Sequence, residues 1–153
     1  MSTPTPPLES ARTYYPAMLP AETIVWQTWL RLHQAEYDRF DYNMRVGPGF
    51  DPGGSVPDFI RTMAVKNTKK RIDAVAWQGS QPLIVEVKVR AGLSAVGQIL
   101  GYRVHWRLEN PHTVPPKLLL VANRLADGVQ EVLQAHDVPF ELVSPDNWPR
   151  RKT

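Results

Sequence analysis

Asp73, Glu86 and Lys88 stand out within the run RIDAVAWQGSQPLIVEVKV, residues 71–89. In LIVEVKV every other residue is apolar, and burying an unpaired charge costs several kcal/mol, so two charged positions there need a reason. Glu86 and Lys88 are two apart and leave the same face of a strand. Asp73 lies on the preceding apolar run, and a hairpin brings it alongside. Two carboxylates beside a lysine make a site for a hard cation, because oxygen ligands suit Mg²⁺ or Mn²⁺. Such an ion neutralises charge on a phosphodiester and acidifies a bound water. The backbone carbonyl of Val87 is a further candidate ligand. Lys88 could orient or activate the water and stabilise the extra charge of the transition state. The same residues also admit a purely structural ion pair between Glu86 and Lys88, with Asp73 merely leaving the hairpin.

These side chains need a scaffold, and the pattern around them supplies one. Arg71–Trp77 reads as a strand, QGSQP as a turn and Leu83–Val89 as a second strand, apolar on both faces and so central in its sheet. Upstream, Val25, Trp26, Trp29 and Leu32 recur at helical spacing in a helix beginning near Glu22. Phe40–Val46 alternates as a half-buried strand does, and GPGFDPGGSVP must be a loop. Residues 58–69 read as a long excursion. Downstream, Ser94 is an N-cap candidate for a helix to about Glu109, ended by Pro111, Pro115 and Pro116. Lys117–Ala122 is a buried strand, residues 126–136 a helix and Phe140–Val143 a last strand. An α/β fold follows, with a mixed central sheet flanked by helices and a crossover helix leading to a parallel strand.

The chain has 153 residues, 42% hydrophobic and 22% charged, which suits one globular domain. It has no cysteine, which excludes disulfides and thiolate metal sites. No apolar run approaches the roughly 20 residues that cross a bilayer, and no signal pattern opens the chain, so a cytoplasmic protein without membrane contact is expected. Net charge is +3. Lys66, Lys69, Lys70 and Arg71 cluster, Arg103 and Arg107 lie four apart in the expected helix, and Arg150, Arg151 and Lys152 form a tail. Such patches suit a polyanion or a solvated surface equally. Three parts are expected: a proline-rich extended or disordered arm over 1–20, with Tyr14, Tyr15, Met18 and Leu19 as docking candidates; a domain over 21–145; and a basic tail over 146–153.

At this point the residues resemble the PD-(D/E)XK nuclease superfamily. Asp73 corresponds to its first acid and Glu86-Val87-Lys88 to its ExK half. QILGY resembles the QxxxY motif of the RecB-like and lambda-exonuclease-like branch, which assigns Gln98 and Tyr102; the two lie one helical turn apart. The resemblance covers about residues 21–122. It implies a restriction-endonuclease-like core in αβββαβ order, here followed by a further helix and strand. It also implies DNA as partner, Mg²⁺ or Mn²⁺ as cofactor, and Asp73, Glu86, Lys88, Gln98 and Tyr102 as the catalytic set. Gln98 and Tyr102 would contact the phosphate region. Lys66, Lys69, Lys70, Arg71, Arg103 and Arg107 are candidate phosphate contacts.

The first acid here follows Ile72 rather than proline, and a literal Pro57-Asp58 stands upstream. Asp73 fits better because it begins the strand that pairs with the ExK strand. Many members add an acid from the first helix. Glu22 is the candidate, with Glu36 in reserve, although glutamate suits exposed helix positions regardless. The four histidines lack zinc spacing, and His105 shares the helix face of Gln98 and Tyr102. Trp77 or Trp106 could stack on a base or simply fill the core. The function implied is Mg²⁺-dependent hydrolysis of DNA in repair, recombination, restriction or phage DNA processing and packaging. The competing readings are a virion or complex component of the head-completion kind that keeps the fold, oligomerising or assembling through its arm, and a DNA-binding module that does not cleave.

Overall fold

The computed structural model describes residues 8–146 and Trp148. Strands β1 (Arg39–Val46), β2 (Lys70–Gln78), β3 (Gln81–Ala91), β4 (Lys117–Leu125) and β5 (Phe140–Leu142) form one sheet in that spatial order. β1, β2 and β3 are an antiparallel meander, whereas β4 and β5 run parallel to β3. The helices are α1 (Pro20–His33), α2 (Asp58–Thr68), α3 (Leu93–Glu109) and α4 (Val129–Ala135). This is the expected α/β class with a mixed sheet flanked by helices, in αβββαβ order with α4 and β5 appended. One helix is added: α2, inside the excursion between β1 and β2.

β3 is central, which explains its continuous apolar run. Ile84 joins the core under α3 and α4, with Ile99, Leu120 and Leu133. Val85 and Val87 join the core under α1, with Trp26, Trp29 and Val121. The two layers therefore close over both faces of the sheet. Trp26 and Trp29 stack with ring centroids 4.9 Å apart and fix how α1 lies on the sheet.

Several boundaries differ from the expectation for identifiable reasons. α1 starts at Pro20, whose fixed φ and missing donor suit the first helical position. Leu30 completes its buried face, while Leu32 is exposed because it lies about 90° off the centre of that face. The β2–β3 connection is only Gly79-Ser80, with Gly79 at φ +57°. Parallel pairing persists to Ala91–Leu125, so Gly92 is the lone residue between β3 and α3, and Ser94 sits inside the first turn rather than capping it. α4 begins three residues later than expected because the Ala126 amide is bound to Ala91 and Gly128 turns through φ +82°.

The described part of the expected arm packs onto the domain. Residues 9–11 form a 3-10 turn, and Tyr15 and Met18 are buried under α1, whereas Tyr14 and Leu19 are exposed. The Tyr15 hydroxyl donates to the Glu9 carbonyl at 2.6 Å, and Ser10 exchanges two hydrogen bonds with Gln34 at 3.0 and 3.1 Å. Residues 8–19 thus belong to the domain. Residues 1–7 and the Arg150–Lys152 cluster lie outside the described residues. Among the described residues no helix is long and apolar enough to cross a membrane.

Candidate active site

The regular ladder breaks where the first acid stands. β2 pairs with β3 only as far as Ala74–Val85, and β1 pairs with β2 on either side of an unpaired Asn43–Asp73 step. Asn43 takes φ +57°, a left-handed conformation that costs a non-glycine residue energy. In the gap the Val87 N–H donates to Oδ2 of Asp73 at 2.9 Å, so a side chain replaces the missing backbone acceptor. Asp73 is thereby locked beside β3 and buried.

Glu86 is 1% exposed. Its Oε1 lies 3.5 Å from Lys88 Nζ, longer than a strong ionic hydrogen bond, and its Oε2 has no hydrogen-bond partner among the described residues. Burial, aided by the charge of Asp73 and opposed by Lys88, pushes the Glu86 carboxyl well above the usual range, to about 8. Burial likewise raises Asp73, to about 6, against the opposing Val87 N–H. Two buried acids thus stand side by side, Asp73 anchored by one backbone N–H and Glu86 the less compensated of the two.

Glu22, the candidate acid on the first helix, lies beside Lys88. Its Oε1 accepts the Leu19 N–H at 3.0 Å and caps α1, while its Oε2 points to Lys88 Nζ at 3.9 Å. Lys88 therefore stands between two carboxylates and holds neither closely. Glu36 does not join them. It pairs with His33 at the other end of α1, about 20 Å of helix away.

From α3, Gln98 presents a buried Oε1 without a partner. Tyr102, one turn on, is buried and donates its hydroxyl proton to the Arg71 carbonyl at 2.8 Å. Burial, with Glu86 and Asp73 nearby, raises the Tyr102 pKa, so the phenol stays neutral. It acts as a strut from α3 to the start of β2 rather than as a group facing solvent.

A hard divalent cation fits this donor set. Asp73 Oδ1, both Glu86 oxygens and Glu22 Oε2 are the acidic oxygens not engaged in hydrogen bonds to backbone, and the two acidic pKa values are raised as uncompensated carboxylates should be. Among the described residues no group of three or more acidic or histidine side chains is already closed around a point. Mg²⁺ and Mn²⁺ need only one or two carboxylates and retain several waters.

The cationic candidates divide. Lys69, Lys70 and Arg71 run into β2 four, three and two residues before Asp73, and Lys66 is in the last turn of α2. Arg103 and Arg107 instead line a groove of about 630 Å³ with Asn110, Pro115 and Pro116, and that groove shares no residue with the acids. His105 packs its ring 3.4 Å from where a Cβ on Gly47 would lie. Trp77 and Trp106 line a separate cavity of about 500 Å³ by the hairpin, with the Arg39 guanidinium 4.3 Å from the Trp77 ring centre.

Three arginines were missed. Arg45 pairs directly with Arg71 across β1 and β2, and Arg90 pairs with Arg124 across β3 and β4. Like charges directly opposite destabilise a sheet, so their recurrence on both sides of the acid cluster suits an anion between them. Only the strand register reveals this; in the sequence Arg90 and Arg124 are 34 positions apart.

No protein-family model and no curated protein sequence matches the chain. Among solved structures it is similar to the crystal structure of a repair endonuclease from Pyrococcus abyssi, with TM-score 0.41 and 19% identity, covering 71% of this chain and 40% of that one. It is also similar to an EndoMS-dsDNA2 complex, with TM-score 0.46 and 17% identity, covering 92% and 51%. A third similar structure is that of a protein of unknown function, AF1548, with TM-score 0.46 and 10% identity, covering 78% and 56%. The chain spans between 40 and 56% of the lengths of these structures.

Proposed function

We propose that this chain is a metal-dependent deoxyribonuclease of the PD-(D/E)XK type, using Mg²⁺ or Mn²⁺ to hydrolyse phosphodiester bonds. The observation that carries the reading is the pair Asp73 and Glu86: both buried, both with raised pKa values, and one oxygen of Glu86 without any partner beside Lys88. Natural cores avoid that arrangement unless a ligand completes it. Asp73 and Glu86 hold the cation, with the Val87 carbonyl and Glu22 as further ligands. When bound, the ion supplies Lewis acidity toward the phosphodiester.

The remaining steps belong to the protein's own groups. The ammonium of Lys88 orients the attacking water and offsets the negative charge that grows on the phosphoryl oxygens. Glu22 and Glu86, on either side of Lys88, keep its ammonium at the cluster. Gln98 offers a free acceptor to the water, and Tyr102 acts through Arg71 by holding the start of β2, and with it Asp73, in register with α3. Lys66, Lys69, Lys70 and Arg71, with Arg45, Arg90 and Arg124, hold the phosphate backbone; Arg103 and Arg107 extend that contact onto α3.

Cleavage of linear, circular and branched DNA, with Mg²⁺ or Mn²⁺ and with EDTA, tests the reading. Wild-type protein should cleave only with the metal, and Lys88→Ala should slow cleavage by about 10²-fold or more. Cleavage that persists in EDTA, or that Lys88→Ala leaves unchanged, contradicts it.

A further inference from the structure

α2 is an 11-residue helix in which no residue is buried. Phe59 is 68% exposed, Met63 57% and Ile60 40%, and these three share one face; Phe50, in the preceding loop, is 65% exposed. Leaving such side chains in water forgoes about 1.5–3 kcal/mol each, and a helix this short is marginal without a packed face. Even so, the segment is built to hold its shape. The Arg61 guanidinium grips both oxygens of Asp51 at 3.0 and 2.8 Å, and the Phe50 N–H donates to the Thr68 hydroxyl. Gly49 turns through φ +66° where a Cβ would lie 2.2 Å from the Val65 carbonyl, so the loop lies directly on the helix backbone.

The position of this apolar surface indicates its occupant. α2 leads through Lys69 into β2, and Asp73 follows Lys70 by three residues, roughly 10 Å of strand. Its charged border, apart from the Arg61–Asp51 pair, is Asp58 at the start of the helix and Lys66, Lys69 and Lys70 toward β2, a surplus of cations. A second copy could pair Asp58 with only one of the three lysines, whereas a polyanion complements all of them. Phenylalanine and methionine are side chains that wedge between base steps or stack on unpaired bases.

We infer that residues 47–69 form a base wedge beside the acid cluster, so that the preferred substrate is DNA with unpaired or easily unstacked bases. Lys66, Lys69 and Lys70 hold the flanking phosphates while Phe59, Met63 and Phe50 contact the exposed bases. Opening an intact duplex costs a few kcal/mol per step, and a bubble or single strand removes that cost. The inference rests on the nuclease reading for its location, but its binding test is separate from catalysis.

The test is fluorescence anisotropy of the full chain in EDTA, with a labelled duplex bearing a central bubble and a fully paired duplex of the same composition. Wild-type protein should bind the bubble about tenfold more tightly. Phe59→Ser with Met63→Ser should abolish that preference while leaving affinity for paired duplex within about twofold, with an unchanged circular dichroism spectrum. Phe50→Ser should weaken the preference in the same direction. In wild-type complexes 2-aminopurine in the bubble should change its stacking signal, and in the double variant it should not. Equal affinity for both DNAs, or a preference that survives the double variant, overturns the inference. So does a wild-type dimer in sedimentation that the double variant dissociates, since the face would then belong to a second copy. If the preference and its loss are seen but no DNA is cleaved with metal, the nuclease reading fails and the wedge stands.

Discussion

Glu86 concentrates the conflict between stability and chemistry. It is nearly inaccessible, has one unpartnered oxygen and is raised to about 8 by burial and by Asp73. A carboxyl whose folded pKa lies above its unfolded value contributes stability that is complete below the unfolded pKa and is lost as pH rises through the folded one. The metal-free protein should therefore lose stability between about pH 4.5 and 8 through this group. Glu86→Gln removes the titration and should raise metal-free stability at pH 8 by on the order of 1–3 kcal/mol, with the gain fading in acid. Chemical denaturation at pH 5 and pH 8 checks it. A variant less stable than wild type at pH 8 would show that Glu86 is satisfied. Its alternation with valine in LIVEVKV made this residue legible from sequence. Glu22 was less so, because the same residue serves as an N-terminal cap with one oxygen and faces Lys88 with the other.

At the scale of elements, the β2–β3 hairpin and α3 were legible because their apolar periods are satisfied by burial on both faces of a sheet. α2 was not. DFIRTMAVKNT carries apolar residues at helical spacing, but a Gly- and Pro-rich loop precedes it and, among the described residues, none of its side chains is buried. A helix without a core contact leaves a weak periodic signal. The docking of residues 8–19 was hidden for a related reason, since it depends on polar bonds across 24 positions, as between Ser10 and Gln34. His33 makes another such link: its ring nitrogens contact Glu36 at 2.6 Å and Glu141 at 2.9 Å, tying the end of α1 to β5. Partial burial lowers its pKa, but the two carboxylates outweigh burial and the net shift is upward. This contribution is present below about pH 6.5 and is lost as pH rises through the folded pKa. Thermal melts from pH 6 to 9 should show that decline in wild-type protein and a flatter profile in His33→Asn. Parallel profiles would contradict the link.

The whole molecule gathers cations around the end of the sheet that holds the acids. Lys70, Arg71, Arg45, Arg90 and Arg124 lie on four adjacent strands, two of their pairings bringing arginines face to face. If this end follows a phosphate backbone, the logarithm of affinity for duplex DNA should fall linearly with the logarithm of salt concentration. Arg124→Ala should make that slope shallower by about 1. An unchanged slope removes Arg124 from the interface. The modest net charge of +3 concealed this, because its distribution emerges only when the strands are aligned. The proposed hydrolysis rests on one event, the binding of a divalent cation between Asp73 and Glu86. Crystals soaked in Mn²⁺ and measured at its absorption edge test it most directly. The account predicts an anomalous peak about 2.0–2.3 Å from oxygens of both carboxylates, absent in Asp73→Asn crystals. A soaked crystal with no peak there, or with Mn²⁺ bound only elsewhere, would contradict it.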